Sequence, residues 1–141
     1  MKKDIHIQIL TTQQVGKNKD TIKNFYRGTL DSDEGVLTLH YEESRSPRIH
    51  TRLIISPTNI DLLRSGDVAM HTVFCKGKAF PTQYHTAMGT LNMDIATSNL
   101  TVATSASGLV EIDICYDLLS FGKRVATNRL QIQTFDPQEK L

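Results

Sequence analysis

Along most of this chain apolar and polar residues alternate one for one, the two-residue period of a strand with one face in a core. Ile5, Ile7 and Ile9 alternate with His6 and Gln8, and after a loop over Gly16 to Asp20 a second strand starts with Ile22, Asn24 and Tyr26. Leu37, Leu39 and Tyr41 share a face with Glu43, and Ile49, Thr51, Leu53 and Ile55 share the next. Ile60, Leu62 and Arg64 continue the pattern, as do Val68, Met70, Thr72 and Phe74, and then Phe80, Thr82, Tyr84 and Thr86. Leu91 to Thr97, Leu100 to Thr104, Val110 to Leu118 and a last stretch from Arg124 to Phe135 complete it. Between them stand turn residues, including Asp31 to Gly35, Ser44 to Pro47, Ser56 to Asn59, Ser65 to Asp67, Lys76 to Lys78 and Ser98-Asn99. Near Asn128 the parity changes, from Val125 and Thr127 to Leu130 and Ile132, which reads as a β-bulge. No long segment has apolar residues at helical spacing.

Nearly every connection is short, so successive strands are antiparallel neighbours. A long meander with one apolar face curls until its first and last strands pair, which removes exposed edges. The pattern therefore predicts an all-β fold: an antiparallel up-and-down meander closed into a barrel of about 8–10 strands, one domain over residues 1–141. A two-sheet sandwich is the alternative. Only the ends, Met1 to Asp4 and Pro137 to Leu141, read as loose.

Matching inward residues across each turn predicts Leu37 opposite Leu53, Leu39 opposite Thr51, Tyr41 opposite Ile49, Leu62 opposite Met70, Phe74 opposite Phe80 and Tyr84 opposite Met93. All four tyrosines (Tyr26, Tyr41, Tyr84, Tyr116) then face the core, with Glu43 and Arg64. Buried phenols and a buried ion pair need partners. Either they satisfy one another in a packed barrel, or Tyr41, Glu43, Arg64, Tyr84 and Tyr116 line an amphipathic cavity and orient a small ligand.

The five histidines (His6, His40, His50, His71, His85) fall on the outer face, with His40 directly across from His50. Two imidazoles fall short of a zinc site, which takes three or four ligands, so solvated histidines and no metal are expected. No nucleophile elbow or phosphate-binding glycine loop is present, so no catalytic residue and no cofactor are assigned.

Composition agrees with this reading. Valine, isoleucine and threonine supply 35 of the 141 residues against seven alanines, which favours strands. The net charge of +1 suggests no electrostatic footprint for nucleic acid or an anionic membrane, and no apolar run is long enough to cross a membrane as a helix, so neither is expected as a partner. With no export signal in view, a cytoplasmic setting is expected, with Cys75 and Cys115 as free thiols.

The ordered series Leu39-His40-Tyr41-Glu42-Glu43, Leu62 to Met70 with Phe74, Tyr84 to Leu91 and Ile112 to Leu118 resembles the YwiB-like bacterial proteins. That resemblance covers about Leu30 to Phe135. The family is of unknown function and is grouped with calycin-type (lipocalin-like) β-barrels. The resemblance implies a closed barrel, an internal cavity and a bacterial cytoplasmic setting, and it carries no catalytic residues. Unlike true lipocalins, the chain has no tryptophan near its first strand. The expected function is small-molecule binding inside the barrel. The alternatives are a protein-interaction or structural barrel such as a homodimer, and an enzyme using Arg64 and Glu43.

Overall fold

A computed structural model describes residues 2–137. Ten strands follow one another: β1 (Lys2–Val15), β2 (Asn18–Asp33), β3 (Val36–Arg45), β4 (Arg48–Ile55), β5 (Ile60–Gly66), β6 (Ala69–Phe74), β7 (Ala79–Thr86), β8 (Gly89–Thr104), β9 (Val110–Ser120) and β10 (Lys123–Phe135). Each pairs antiparallel with the next and β1 pairs with β10, so the meander closes into a barrel as the pattern predicts. The order begins at Lys2, so residues 2–4 are strand and not loose; Met1 and residues 138–141 lie outside the described residues.

Alternation dictates the two ends. Turns at 16–17, 46–47, 67–68, 87–88 and 121–122 gather at one end, here the mouth; those at 34–35, 56–59, 75–78 and 105–109 gather at the other, the base. The apolar core fills the base half, where Ile5, Ile7, Leu39, Leu53, Ile60, Val110 and Ile114 are fully buried. Toward the mouth the inner face opens: Ile22 and Leu91 point inward by register yet are 60% and 59% exposed.

Three of the observed registers differ from the expected ones by two residues. Leu37 lies opposite Ile55, Leu39 opposite Leu53 and Tyr41 opposite Thr51, because the two-residue Ser46-Pro47 turn is combined with a bulge between Glu42 and Ser44. Leu62 meets Thr72 while Met70 meets Arg64, and Tyr84 meets Leu91. Across the β6–β7 seam, by contrast, the register that pairs Met70 with Tyr84 is the one expected from Phe74 and Phe80, whose other flanks meet Ile60 and Ile95. Each of the three shifted ladders slips by two residues, which keeps every side chain on its expected face.

Two expected turns are corrected. The loop at Gly16 to Asp20 shrinks to Gly16-Lys17, and Ser98-Asn99 is a bulge inside the single long β8. There Ser98 Oγ donates to the Cys115 carbonyl at 3.2 Å, so the interrupted ladder keeps a hydrogen bond. The expected bulge near Asn128 lies instead between Arg124 and Ala126, and Asn128 sits in register opposite Tyr116. Inward positions on β10 are thus Ala126, Asn128, Leu130 and Ile132, with Val125 turned out.

Gly28, inward on β2 and opposite Tyr41, marks a close approach of two strands. A Cβ there would lie 2.2 Å from the His40 carbonyl oxygen and 2.8 Å from Ile7 Cδ1. The weakest join is between β6 and β7, where the ladder has only two pairs, Ala69 with His85 and Met70 with Tyr84. Farther toward the base a buried hydroxyl pair, Thr82 to Thr72 at 2.6 Å, spans this seam. The two-residue turn at 87–88 closes on a hydrogen-bonded Thr86–Gly89 pair, so Thr82 and Tyr84 also bond to β8. Pro81, between them, therefore turns its missing N–H toward β6 and costs the β7–β8 ladder nothing.

Candidate functional site

Three of the inward polar residues meet where β3, β4 and β5 approach the mouth. Glu43 is the extra residue of a bulge between Glu42 and Ser44, which frees its side chain from the ladder. Arg64, opposite Thr51 on β4 and Met70 on β6, grips it in a fork: Nε to Oε2 at 2.7 Å and Nη2 to Oε1 at 3.2 Å. Thr51 Oγ1, fully buried, donates to the same Oε2. Burial works against the Arg64 charge, but Glu43 outweighs it and holds the guanidinium protonated more firmly than usual.

The tyrosines surround this pair. Tyr41 and Tyr26 stack with ring centres 4.8 Å apart. Burial, then the Glu43 carboxylate, pushes both phenols above their ordinary range. Tyr84 and Tyr116 lie within electrostatic reach of Arg64. All five residues singled out in the sequence (Tyr41, Glu43, Arg64, Tyr84, Tyr116) therefore converge on one region of the interior.

Tyr116 also belongs to a polar row whose other two members, Thr97 and Asn128, sequence reasoning did not single out. Tyr116 on β9 sits between Thr97 on β8 and Asn128 on β10, all facing inward. Thr97 is 3% and Asn128 5% exposed, yet Thr97 Oγ1 and Asn128 Oδ1 have no hydrogen-bond partner. Burial raises the Tyr116 pKa, and a hydrogen bond from Asn128 together with the Arg64 charge offsets part of the rise. Phe74 packs on the Tyr116 ring at 5.0 Å and closes the row toward the base. The signal for Asn128 was the Ala126, Asn128, Leu130 alternation, hidden by the apolar Val125 out of phase.

A cleft of about 890 Å³ opens along the seam, lined from inside by Arg64, Met70, Thr82 and Met93 and from outside by His71, His85 and Phe121 among others. Arg64 is thus the member of the expected set that reaches it directly.

On the outer wall the expected histidine arrangement is corrected. His40 lies opposite Arg52 and His50 opposite Glu42, so their rings meet diagonally at 6.0 Å. His6 and His40 are half-buried rather than solvated, and His6 Nδ1 is enclosed without a partner. His71 reaches Asp61 at 3.5 Å and His85 Nδ1 meets Thr90 Oγ1 at 2.8 Å. Among the described residues no group of three or more histidines, cysteines or carboxylates is placed to hold a metal ion. Cys75 and Cys115 are free thiols. No helix among them is long and apolar enough to cross a membrane.

Comparison with known proteins fits this architecture. The crystal structure of the YwiB protein from Bacillus subtilis superposes with a TM-score of 0.81 at 18% identity, covering 96% of this chain and 94% of that one. At that identity the likeness speaks for the fold. No curated protein matches the chain. A domain family of unknown function, DUF1934, matches residues 7–132, and the chain belongs to that family.

Proposed function

We propose that the barrel binds a small amphipathic molecule in the cup between its apolar core and its mouth. The observation that carries this reading is the pair of orphaned polar atoms, Thr97 Oγ1 and Asn128 Oδ1, on either side of Tyr116. A buried polar group left unsatisfied costs about 1–3 kcal/mol, and a guest with hydrogen-bonding atoms removes that cost. The apolar part of such a guest has Leu118, Leu130 and Met70 to lie against, all partly buried at the edge of the core. Arg64 and Glu43 neutralise one another, which favours a guest with little net charge. The fork between them and the Thr51 bond suit a brace that shapes the cup better than an acid–base pair.

The test is native mass spectrometry and a crystal structure of protein purified gently from its own host. An extra mass released on denaturation, with density against Thr97, Tyr116 and Asn128, is expected. Thr97→Val should weaken retention of that mass without lowering the melting temperature, because it removes an unsatisfied atom and leaves the Asn128–Tyr116 hydrogen bond in place. A chain carrying no extra mass, with only water on the two atoms, overturns the proposal.

A further inference from the structure

We propose that the mouth end of the barrel docks on an anionic lipid surface. This inference is independent of the ligand-binding reading and rests on an arc of adjacent strands at the rim. Going round from β2 through β1, β10, β9 and β8, the rim exposes Val15, Val125, Phe121 and Met88, with Ile22 and Leu91 on the open inner face just inside it. The pairing of Gln14 with Thr127 and of Leu119 with Arg124 makes the arc continuous. Six of the eight large apolar side chains that the described residues expose lie at this end; Phe25, midway along β2, and Val102 are the exceptions. Between the apolar residues stand Lys17, Lys19, Lys23, Lys123 and Arg124, all exposed, against the exposed acid Asp20 and the half-buried Asp94 and Asp117. None of the five makes an ion pair among the described residues.

Phe121 supplies a second, separate observation. It and Gly122 turn the chain with φ of +51° and +78°, the geometry of a type I′ turn. Asparagine, aspartate or glycine suits that first position, whereas a bulky side chain in the left-handed region is strained. The ring gains nothing in return from the fold, because it is fully exposed. A strained, exposed aromatic beside two cations has a physical use when the tip enters an apolar phase whose surface is negative.

The chemistry selects among occupants. A second copy meeting this face symmetrically would set five cations against five. A protein groove needs apolar residues gathered in one shape-matched patch, whereas Phe121 and Met88 stand on separate turn tips. A lipid interface accepts separated tips and rewards interspersed lysines and arginines.

The experiment is co-sedimentation of the purified protein with vesicles of phosphatidylglycerol and phosphatidylcholine, or of phosphatidylcholine alone. Two variants are compared: Phe121→Asn with Met88→Gln, and Lys123→Glu with Arg124→Glu. Circular dichroism reports that each stays folded, as exposed sites should. Binding to the anionic vesicles alone is expected, released by salt, weakened about fivefold or more per reversed cation, and lost when the two tips are polar. The inference is overturned by no sedimentation at low salt, by equal sedimentation with phosphatidylcholine alone, or by variants that bind like the parent. Light scattering showing a dimer that Phe121→Asn dissociates, without vesicle binding, assigns the face to self-association and overturns it as well.

Discussion

A phenylalanine at the head of a type I′ turn is held there against its own backbone preference. Replacing Phe121 by asparagine keeps the positive φ with a residue that tolerates it, and exposes no new apolar surface. The folded state should gain about 1 kcal/mol, raising the melting temperature by about 3 °C in thermal denaturation. An unchanged or lower melting temperature would show that the ring stabilises the turn. Other single residues explain what was and was not legible before the fold was seen. Arg64 and Glu43 were conspicuous because charges on an inward face break the alternation. Thr97 and Asn128 were not, because threonine is common in strands and Asn128 follows a bulge that shifts the phase. Gly28 gave no signal either, since the carbonyl it makes room for comes from another strand.

Among the elements, the β3–β4 hairpin shows how a correct face assignment survives a wrong register. Its turn is two residues long and Glu43 bulges, so Leu39 meets Leu53 and not Thr51, yet both strands keep their apolar side inward. Turn lengths and bulges are set by a few backbone angles, which alternation does not record. For the same reason Ser98-Asn99 looked like a turn: a bulge and a turn use the same small polar residues. The hairpin also carries a pH response. Burial, then His50, Arg52 and Lys2, lower the His40 pKa, opposed by Asp31. A depressed imidazole contributes stability that is present above the unfolded value of about 6.5 and lost as pH falls through the lower folded value. Denaturant titrations should therefore find the protein less stable at pH 5 than at pH 7, and His40→Gln should flatten that slope. A slope unchanged by the substitution would place the response elsewhere.

Across the whole molecule, closure of the meander followed from short turns and the need to remove edges, and the structure agrees. What escaped was polarity between the two ends. A net charge of +1 averages an arc of the mouth rich in lysine and arginine against a base where Asp31, Asp33, Glu34, Asp61 and Glu111 outnumber Lys2, Lys3, Lys76 and Lys78, and no sum over the sequence reveals the division. Stability is uneven in the same way. β9 is paired along its length on both sides, whereas β6 meets β7 through two ladder pairs and a hydroxyl bridge. Amide exchange should accordingly be fastest among the strands for peptides spanning 69–74 and 79–83, and slowest for 110–118. Equal protection would mean that the barrel opens only as a unit. An opening seam would ordinarily expose a template on which a stranger's strand could grow, the route by which β proteins aggregate. Pro81 changes that outcome. It leaves the freed flank of β7 short of a donor at mid-strand, so an incoming chain could not zip past it, and the wall can part without becoming adhesive.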